Sequence, residues 1–324
     1  MRGKDNNMPR LTIELDAILS GHQHPIYTVE NGPEPHILFT AGSDKGVVQW
    51  DLNKMIFNKV LMKVERSVYA LHYIPAINCL AVGEQNGKVS LYDFQTNTIL
   101  AVLQHHQKAV FDIKSLSGKL ELLLSSEDGS VSVWDLKTFK KIHAFQLTNS
   151  TIRNIAVSPD EKTIAFGTKN GSLFLMNAFD YSLITQLKAH TLPVTSLSFS
   201  PDGRYLLSGG RDAQLNRYYT SDFTLKEQIT AHMFTIYSIN YHPDLPVFAT
   251  ASRDKSIKFW DAETFKLLKI VSFEKGYDAH KLSINKAVWN PNNNQLISVG
   301  DEKLAMVWNV GFRLRHPEPD SGSI

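Results

Sequence analysis

The chain has 324 residues, 43% of them hydrophobic and 20% charged, a globular composition long enough for a large core. A formal net charge of +2 excludes the basic excess of a dedicated nucleic-acid binder. The single cysteine, Cys79, excludes an intramolecular disulfide, and no run reaches the ~18 apolar residues of a membrane-spanning helix.

The segment Met1 to Arg10 is polar and carries no apolar signal-peptide core, so the expected compartment is the cytoplasm, or the nucleus in a eukaryote. Leu11, Ile13 and Leu15 then alternate in a spare strand from Leu11 to Leu19. Beyond it one anchor position recurs. Trp50, Tyr92, Trp134, Met176, Tyr218 and Trp260 follow at steps of 42 residues, and Trp308 comes 48 later. Such a period marks a repeated unit that buries its apolar face only against its neighbours.

Three places before the anchor stand Val47, Val89, Val131, Leu173, Leu215, Ile257 and Ala305, all apolar. Six places before it come Asp44, Asn86, Asp128, Asn170, Asp212, Asp254 and Glu302, followed by Gly87, Gly129 and Gly171 in three units. Asn-Gly and Asp-Gly between β runs predict tight hairpins. Seventeen places before it, Pro33, Pro75, Pro159, Pro201, Pro243 and Pro291 predict a second turn, with Ser117 the exception. A further strand follows each of the first six anchors, as from Phe265 to Phe273, and Cys79 reads as a small buried residue within a strand.

Each unit therefore has four short antiparallel strands. Seven units predict an all-β, seven-bladed propeller over residues 11–312, with a polar extension at 1–10 and a disordered tail at 313–324. Too little chain follows Trp308 for an outer strand, so Leu11 to Leu19 is expected to close the last blade.

Twenty-eight places before the anchor sit His22, His106, His190, His232 and His280, with Val64 and Thr148 in the other two units. A hydroxyl recurs four places before the Asx position. His22, Thr40, Asp44 and Trp50 form one set, and His232, Thr250, Asp254 and Trp260 another. These sets, with their Trp-Asp tails, resemble the WD-repeat β-propeller family across about residues 11 to 312. The resemblance implies a buried hydrogen-bonded chain of His, Ser or Thr, Asp and Trp inside a blade. The fifth unit has His190, Ser208 and Asp212 but Tyr218 for Trp. The third has Leu124 in place of the hydroxyl, and the seventh has Glu302 for Asp. The second and fourth lack the set and should depend on apolar packing. A His bonded to Asp and Ser could suggest acyl transfer, but five such sets in one chain do not make five active sites. They are scaffold, and neither a catalytic site, a metal site nor a cofactor is expected.

What the repeat does not require is more informative. The resemblance implies that the residues before the Asx turns share the narrower face: Ser43, Gln85, Glu127, Lys169, Arg211, Arg253 and Asp301. Twenty-three places before the anchor come Tyr27, Tyr69, Phe111, Arg153, Thr195, Tyr237 and Asn285. Twenty-five before it come Pro25, Ser67, Ala109, Thr151, Pro193, Thr235 and Ser283. Tyr27, Tyr69, Phe111 and Tyr237 make an aromatic arc, and Arg153, Lys169, Arg211 and Arg253 a basic one. Aromatic rings with arginines are the material of binding hot spots. The expected function is a non-enzymatic scaffold that binds a protein or peptide, acidic or phosphorylated, as one propeller within a larger complex. The alternatives are a phosphopeptide or nucleic-acid reader on the basic arc, and a small-molecule sensor or enzyme at the central channel. The longer step before Trp308 places an extra loop at Phe273 to Asp278, expected on the same face.

Overall fold

The computed structural model describes residues 10–290 and 294–313. The strand β1 (Arg10–Ser20) precedes the first blade. Blade one is β2 (Ile26–Asn31), β3 (Ile37–Gly42), β4 (Gly46–Asp51) and β5 (Ile56–Lys63). Blade two is β6 (Val68–Ile74), β7 (Cys79–Glu84), β8 (Lys88–Asp93) and β9 (Thr98–Gln104). Blade three is β10 (Val110–Leu116), β11 (Glu121–Ser126), β12 (Ser130–Asp135) and β13 (Lys141–Gln146). Blade four is β14 (Ile152–Val157), β15 (Thr163–Thr168), β16 (Ser172–Asn177) and β17 (Leu183–Lys188). Blade five is β18 (Val194–Phe199), β19 (Tyr205–Gly210), β20 (Gln214–Tyr219) and β21 (Leu225–Thr230). Blade six is β22 (Ile236–Tyr241), β23 (Val247–Ser252), β24 (Ile257–Asp261) and β25 (Leu267–Val271). Blade seven is β26 (Ile284–Asn290), β27 (Gln295–Gly300) and β28 (Leu304–Arg313), with β1 as its outer strand. The expected seven-bladed propeller is thus present, and its closure is the expected one. Leu11 lies opposite Phe312, Ile13 opposite Val310 and Leu19 opposite Ala305, with all three β1 side chains buried. Residues 1–9 and 314–324, which hold most of the expected extension and tail, lie outside the described residues, as does Pro291.

The turn chemistry explains the hairpins. The residue after each Asx position has positive φ: Lys45, Gly87, Gly129, Gly171, Ala213, Lys255 and Lys303. Glycine is needed for space as well as conformation at Gly129, where a Cβ would lie 2.1 Å from the Thr148 carbonyl oxygen.

The core is not one body but seven seams, because a four-stranded blade has two apolar faces and no partner of its own. Each seam joins the middle strands of one blade to the anchor of the next. Ala249, Ile257 and Phe259 of blade six meet Ile284, Leu296 and Trp308 of blade seven. Ile297, Val299 and Val307 of blade seven meet Ile26, Leu38 and Trp50 of blade one. Cys79 is a buried strand residue, and burial pushes its thiol up to about 11. One seam departs from the apolar rule. Arg217 replaces the apolar residue usual before the anchor and is only 1% exposed. Its guanidinium lies between the Tyr205 and Phe265 rings at 4.7 and 4.5 Å, pairs with Glu227, and donates to the carbonyls of Ala262 and Glu263 in the next blade.

Candidate partner-binding face

The polar sets inside the blades form as the repeat predicts. In blade one the Trp50 Nε1–H donates to Thr40 Oγ1 at 2.7 Å, His22 Nε2 lies 2.7 Å from that hydroxyl, and His22 Nδ1 lies 2.5 Å from Asp44 Oδ2. In blade six the corresponding distances are 2.9, 2.7 and 2.9 Å through Trp260, Thr250, His232 and Asp254. Indole can only donate and a carboxylate only accept, so the chain of donation runs from Trp through the hydroxyl and His to Asp. Burial and the carboxylate act in opposite directions on His106, His190 and His232. Burial dominates at His106, His190 and His232, whose pKa values fall, and it pushes His280 down to about 3. The carboxyls of Asp44, Asp128, Asp212 and Asp254 are held below the usual range by their hydrogen bonds and the neighbouring His.

Two units are more complete than the sequence suggests. Blade seven closes its chain through Glu302, with Trp308 donating to Ser298 Oγ at 2.9 Å. Blade three corrects the reading that Leu124 costs it the hydroxyl. Ser132 Oγ takes that place, 2.9 Å from both His106 Nε2 and Trp134 Nε1. Leu124 and Ser132 are direct partners on β11 and β12, so their side chains share one face of the sheet and either can reach the gap. Blade five joins His190 to Asp212 and Ser208, while Asn216 donates to Tyr218 Oη at 3.1 Å. Blades two and four fill the site with Val64 and Val82, and with Phe166 and Met176.

A backbone hydrogen bond pins the loops on the Asx-turn face in every blade. The residue before each Asx position donates its N–H to the carbonyl twenty-five places before the anchor, in all seven blades: Ser43 to Pro25, Gln85 to Ser67, Glu127 to Ala109, Lys169 to Thr151, Arg211 to Pro193, Arg253 to Thr235 and Asp301 to Ser283. The two sets of positions singled out in the sequence therefore meet residue by residue.

The third set has a sharper structural meaning. The inner strand of every blade carries a β-bulge, and the skipped residue is Tyr27, Tyr69, Phe111, Arg153, Thr195, Tyr237 or Asn285. A bulge residue has no ladder partner, and its side chain is turned away from the sheet's two faces. Here all seven line one cavity of about 550 Å³ at the centre of the ring. The residue before the bulge is Ile26, Val68, Val110, Ile152, Val194, Ile236 or Ile284, always β-branched and at most 1% exposed. Burial of that side chain fixes the register and so aims the next one into the cavity.

Four of the bulge residues form a continuous stack. The Tyr27 and Tyr69 rings lie 5.2 Å apart at 9°, Tyr69 and Phe111 lie 5.2 Å apart, and the Arg153 guanidinium sits 5.0 Å over Phe111. Burial lowers the Arg153 pKa, and its Nε has no hydrogen-bond partner among the described residues. Thr195 and Asn285 instead latch neighbouring blades through the carbonyls of Ile236 and Ile26. Arg253 reaches the cavity as well. Lys169 and Arg211 do not line it and stand exposed on the surrounding turns.

Below the rim lies a charged layer that the sequence reading passed over. It comprises Glu30, His72, Asp112, Lys114 and Lys286, at two positions of the inner strands just past the bulge. Asp112 is held by the N–H groups of Ile113 and Ile155 at 2.9 and 2.8 Å. Lys286 donates to Thr28 Oγ1 at 3.1 Å, and burial lowers its pKa. His72 Nε2 accepts the Ser115 N–H at 3.1 Å, so the ring carries its proton on Nδ1, toward Glu30. Burial lowers the His72 pKa and raises that of Glu30. Charged residues at matching positions of β2, β6 and β10 were the available signal. Among the described residues no group of three or more His, Cys, Asp or Glu is arranged to hold a metal ion.

Five segments of the chain match the family model for the WD domain, G-beta repeat: residues 14–51, 97–135, 181–216, 223–261 and 271–309. Together they cover more than half of the chain, and the two units without a match, ending at Tyr92 and Met176, are those that lack the histidine. No curated protein matches the chain.

Proposed function

The chain belongs to the WD40 family, and on that premise we propose that it is a non-enzymatic scaffold whose Asx-turn face binds an acidic or phosphorylated segment of a partner protein. The observation that carries this reading is the stack of Tyr27, Tyr69, Phe111 and Arg153 around one cavity. Rigid aromatic surface offers large contact area at little entropic cost, and an arginine whose Nε has no hydrogen-bond partner among the described residues favours an incoming anion. The protein would act as a single propeller within a larger cytoplasmic or nuclear complex. The test is capture of partners from native lysate by the intact chain, set beside Arg153→Glu with Arg253→Glu. Loss of at least one partner is expected, and an unchanged set refutes the reading. Binding that collapses steeply with salt would instead favour a reader of phosphate or nucleic acid.

Asp112, Lys114 and Lys286, the members of the charged layer that line the cavity, favour a second reading, a small polar molecule held in the channel. Mass spectrometry of the purified chain under native conditions would reveal a bound mass, and a bare protein incubated with cell extract refutes it.

A further inference from the structure

Large apolar side chains stand exposed on the loops that enter three consecutive blades. Leu192 is 47% exposed before blade five, Met233 81% and Phe234 54% before blade six, and Phe273 56% and Leu282 48% before blade seven. All of these loops run from an outer strand to the next inner strand, so they share the Asx-turn face. The corresponding loops before blades one to four carry Gln23, His24, Glu65, Arg66, Gln107, Lys108, Asn149 and Ser150. The apolar residues are therefore confined to one arc. Exposed apolar side chains gathered on neighbouring loops are a feature of contact sites.

The backbone beneath these side chains is fixed. The carboxylate that pairs with each buried histidine also accepts N–H groups from the loop tip. Asp212 Oδ2 accepts from Thr191 at 2.9 Å, Asp254 Oδ2 from Met233 at 3.0 Å, and Glu302 Oε2 from Lys281 and Leu282 at 2.8 and 2.9 Å. The extra loop adds a short 3-10 turn, Phe273–Lys275, closed by Gly276 at φ 83°. Phe273 is held up with the Lys281 ammonium 5.2 Å over its ring. A loop pinned in this way has little backbone freedom left to lose when its side chains are covered.

Among the exposed charged residues around the arc, basic side chains outnumber acidic ones. Arg211, Arg253, Lys255, Lys275 and Lys281 are exposed around it, against exposed Glu274 and Asp278, while Asp212, Asp254 and Glu302 are engaged by the histidines. We propose that this arc over blades five to seven is a docking surface for a partner-protein segment that carries large apolar side chains flanked by Asp or Glu. Met233 and Phe234, at its centre, take the apolar side chains, and the lysines and arginines receive the carboxylates. This deepens the scaffold reading by adding a second contact region outside the channel rim, and it rests on that reading.

The probe is a random peptide library displayed on phage and selected against the intact chain. The enriched peptides should combine Leu, Ile, Met or Phe with Asp or Glu. They should bind Met233→Ser with Phe234→Ser about tenfold or more weakly, as expected when a central apolar anchor is removed. Both side chains project from the surface, so the melting temperature should be unchanged. Enrichment of no acidic-apolar peptide, or equal binding to the loop variant, overturns the proposal. Arg153→Gln separates the two regions. Peptides weakened by Arg153→Gln but not by the loop variant uphold the rim and overturn the arc. The converse upholds the arc and counts against the rim.

Discussion

Ser132→Ala tests the relocated hydroxyl of blade three. The hydroxyl joins two buried groups, His106 Nε2 and Trp134 Nε1, each at 2.9 Å. The alanine leaves both without it, and His106 and Trp134 are 1% and 7% exposed, so water does not replace it. A buried polar group left unsatisfied costs about 1–3 kcal/mol, so the pair should cost about 2–6 kcal/mol. Removing one buried hydroxyl oxygen makes almost no cavity, which keeps the loss attributable to hydrogen bonding. For a chain of 324 residues the melting temperature should fall on the order of 3–9 °C. The second arm is Leu124→Thr. Alone it discards a buried apolar side chain, 1% exposed in the native chain, at a cost of about 2–3 kcal/mol. Combined with Ser132→Ala it returns a hydroxyl to the strand position that Thr40 and Thr250 occupy in blades one and six. The two changes should therefore be coupled favourably by about 1–3 kcal/mol in a double-mutant cycle read by thermal or urea unfolding. A melting temperature within a degree of native for Ser132→Ala would refute the reasoning. So would Leu124→Thr costing the same in both backgrounds.

Deleting residues 1–20 should destabilise the whole ring, because it removes buried Leu11, Ile13 and Leu19 and strips the β28 ladder. At about 1.5–3 kcal/mol per side chain the loss rivals the stability of a typical protein, so calorimetry should show loss of the cooperative transition or a large fall in its midpoint; an unchanged midpoint contradicts the closure. Stability should also decline on acidification from pH 7.5 to 5. Folding lowers the pKa values of His106, His190, His232 and His280, so below about 6.5 the unfolded chain takes up protons that the folded chain refuses. The stabilisation is complete above that pH and is lost toward the folded values. With its folded value near 3, His280 alone accounts for up to about 2 kcal/mol at pH 5. The lowered carboxyls act in the same direction at still lower pH. Urea unfolding at constant ionic strength should show the decline, and a flat profile from pH 7.5 to 5 would exclude it.

The fold was legible because it is written seven times. A single Trp-Asp pair means little, but the 42-residue step sets Val47 beside Val89 and Val131, and Asp44 beside Asn86 and Asp128. The closing strand followed from counting strands. The rim was legible as a set of positions but not as a shape. A bulge leaves no mark on residue type at Tyr27 or Arg153, since it is set by pairing with a strand more than ten residues away. Column reading also hid two swaps. Ser132 substitutes across the ladder rather than along it, and Arg217 sits in an apolar column because Tyr205 and Phe265 sandwich it. Lys169 and Arg211 belong to the expected basic arc, yet they do not line the cavity. Sharing a face with Arg153 does not make a turn residue reach the centre.

The seven bulges separate two kinds of information. At the buried place before each bulge the chain accepts only Ile or Val, whereas the bulge residue is Tyr, Phe, Arg, Thr or Asn. The ladder does not dictate that choice, because the bulge residue makes no ladder pair, although Thr195 and Asn285 also tie neighbouring blades together. Substitution there can rewrite what the rim recognises one letter at a time, without first having to be rescued by a stabilising change elsewhere. A ring of this kind can explore partners at little structural risk, and duplication of a blade carries a fresh, unconstrained letter with it.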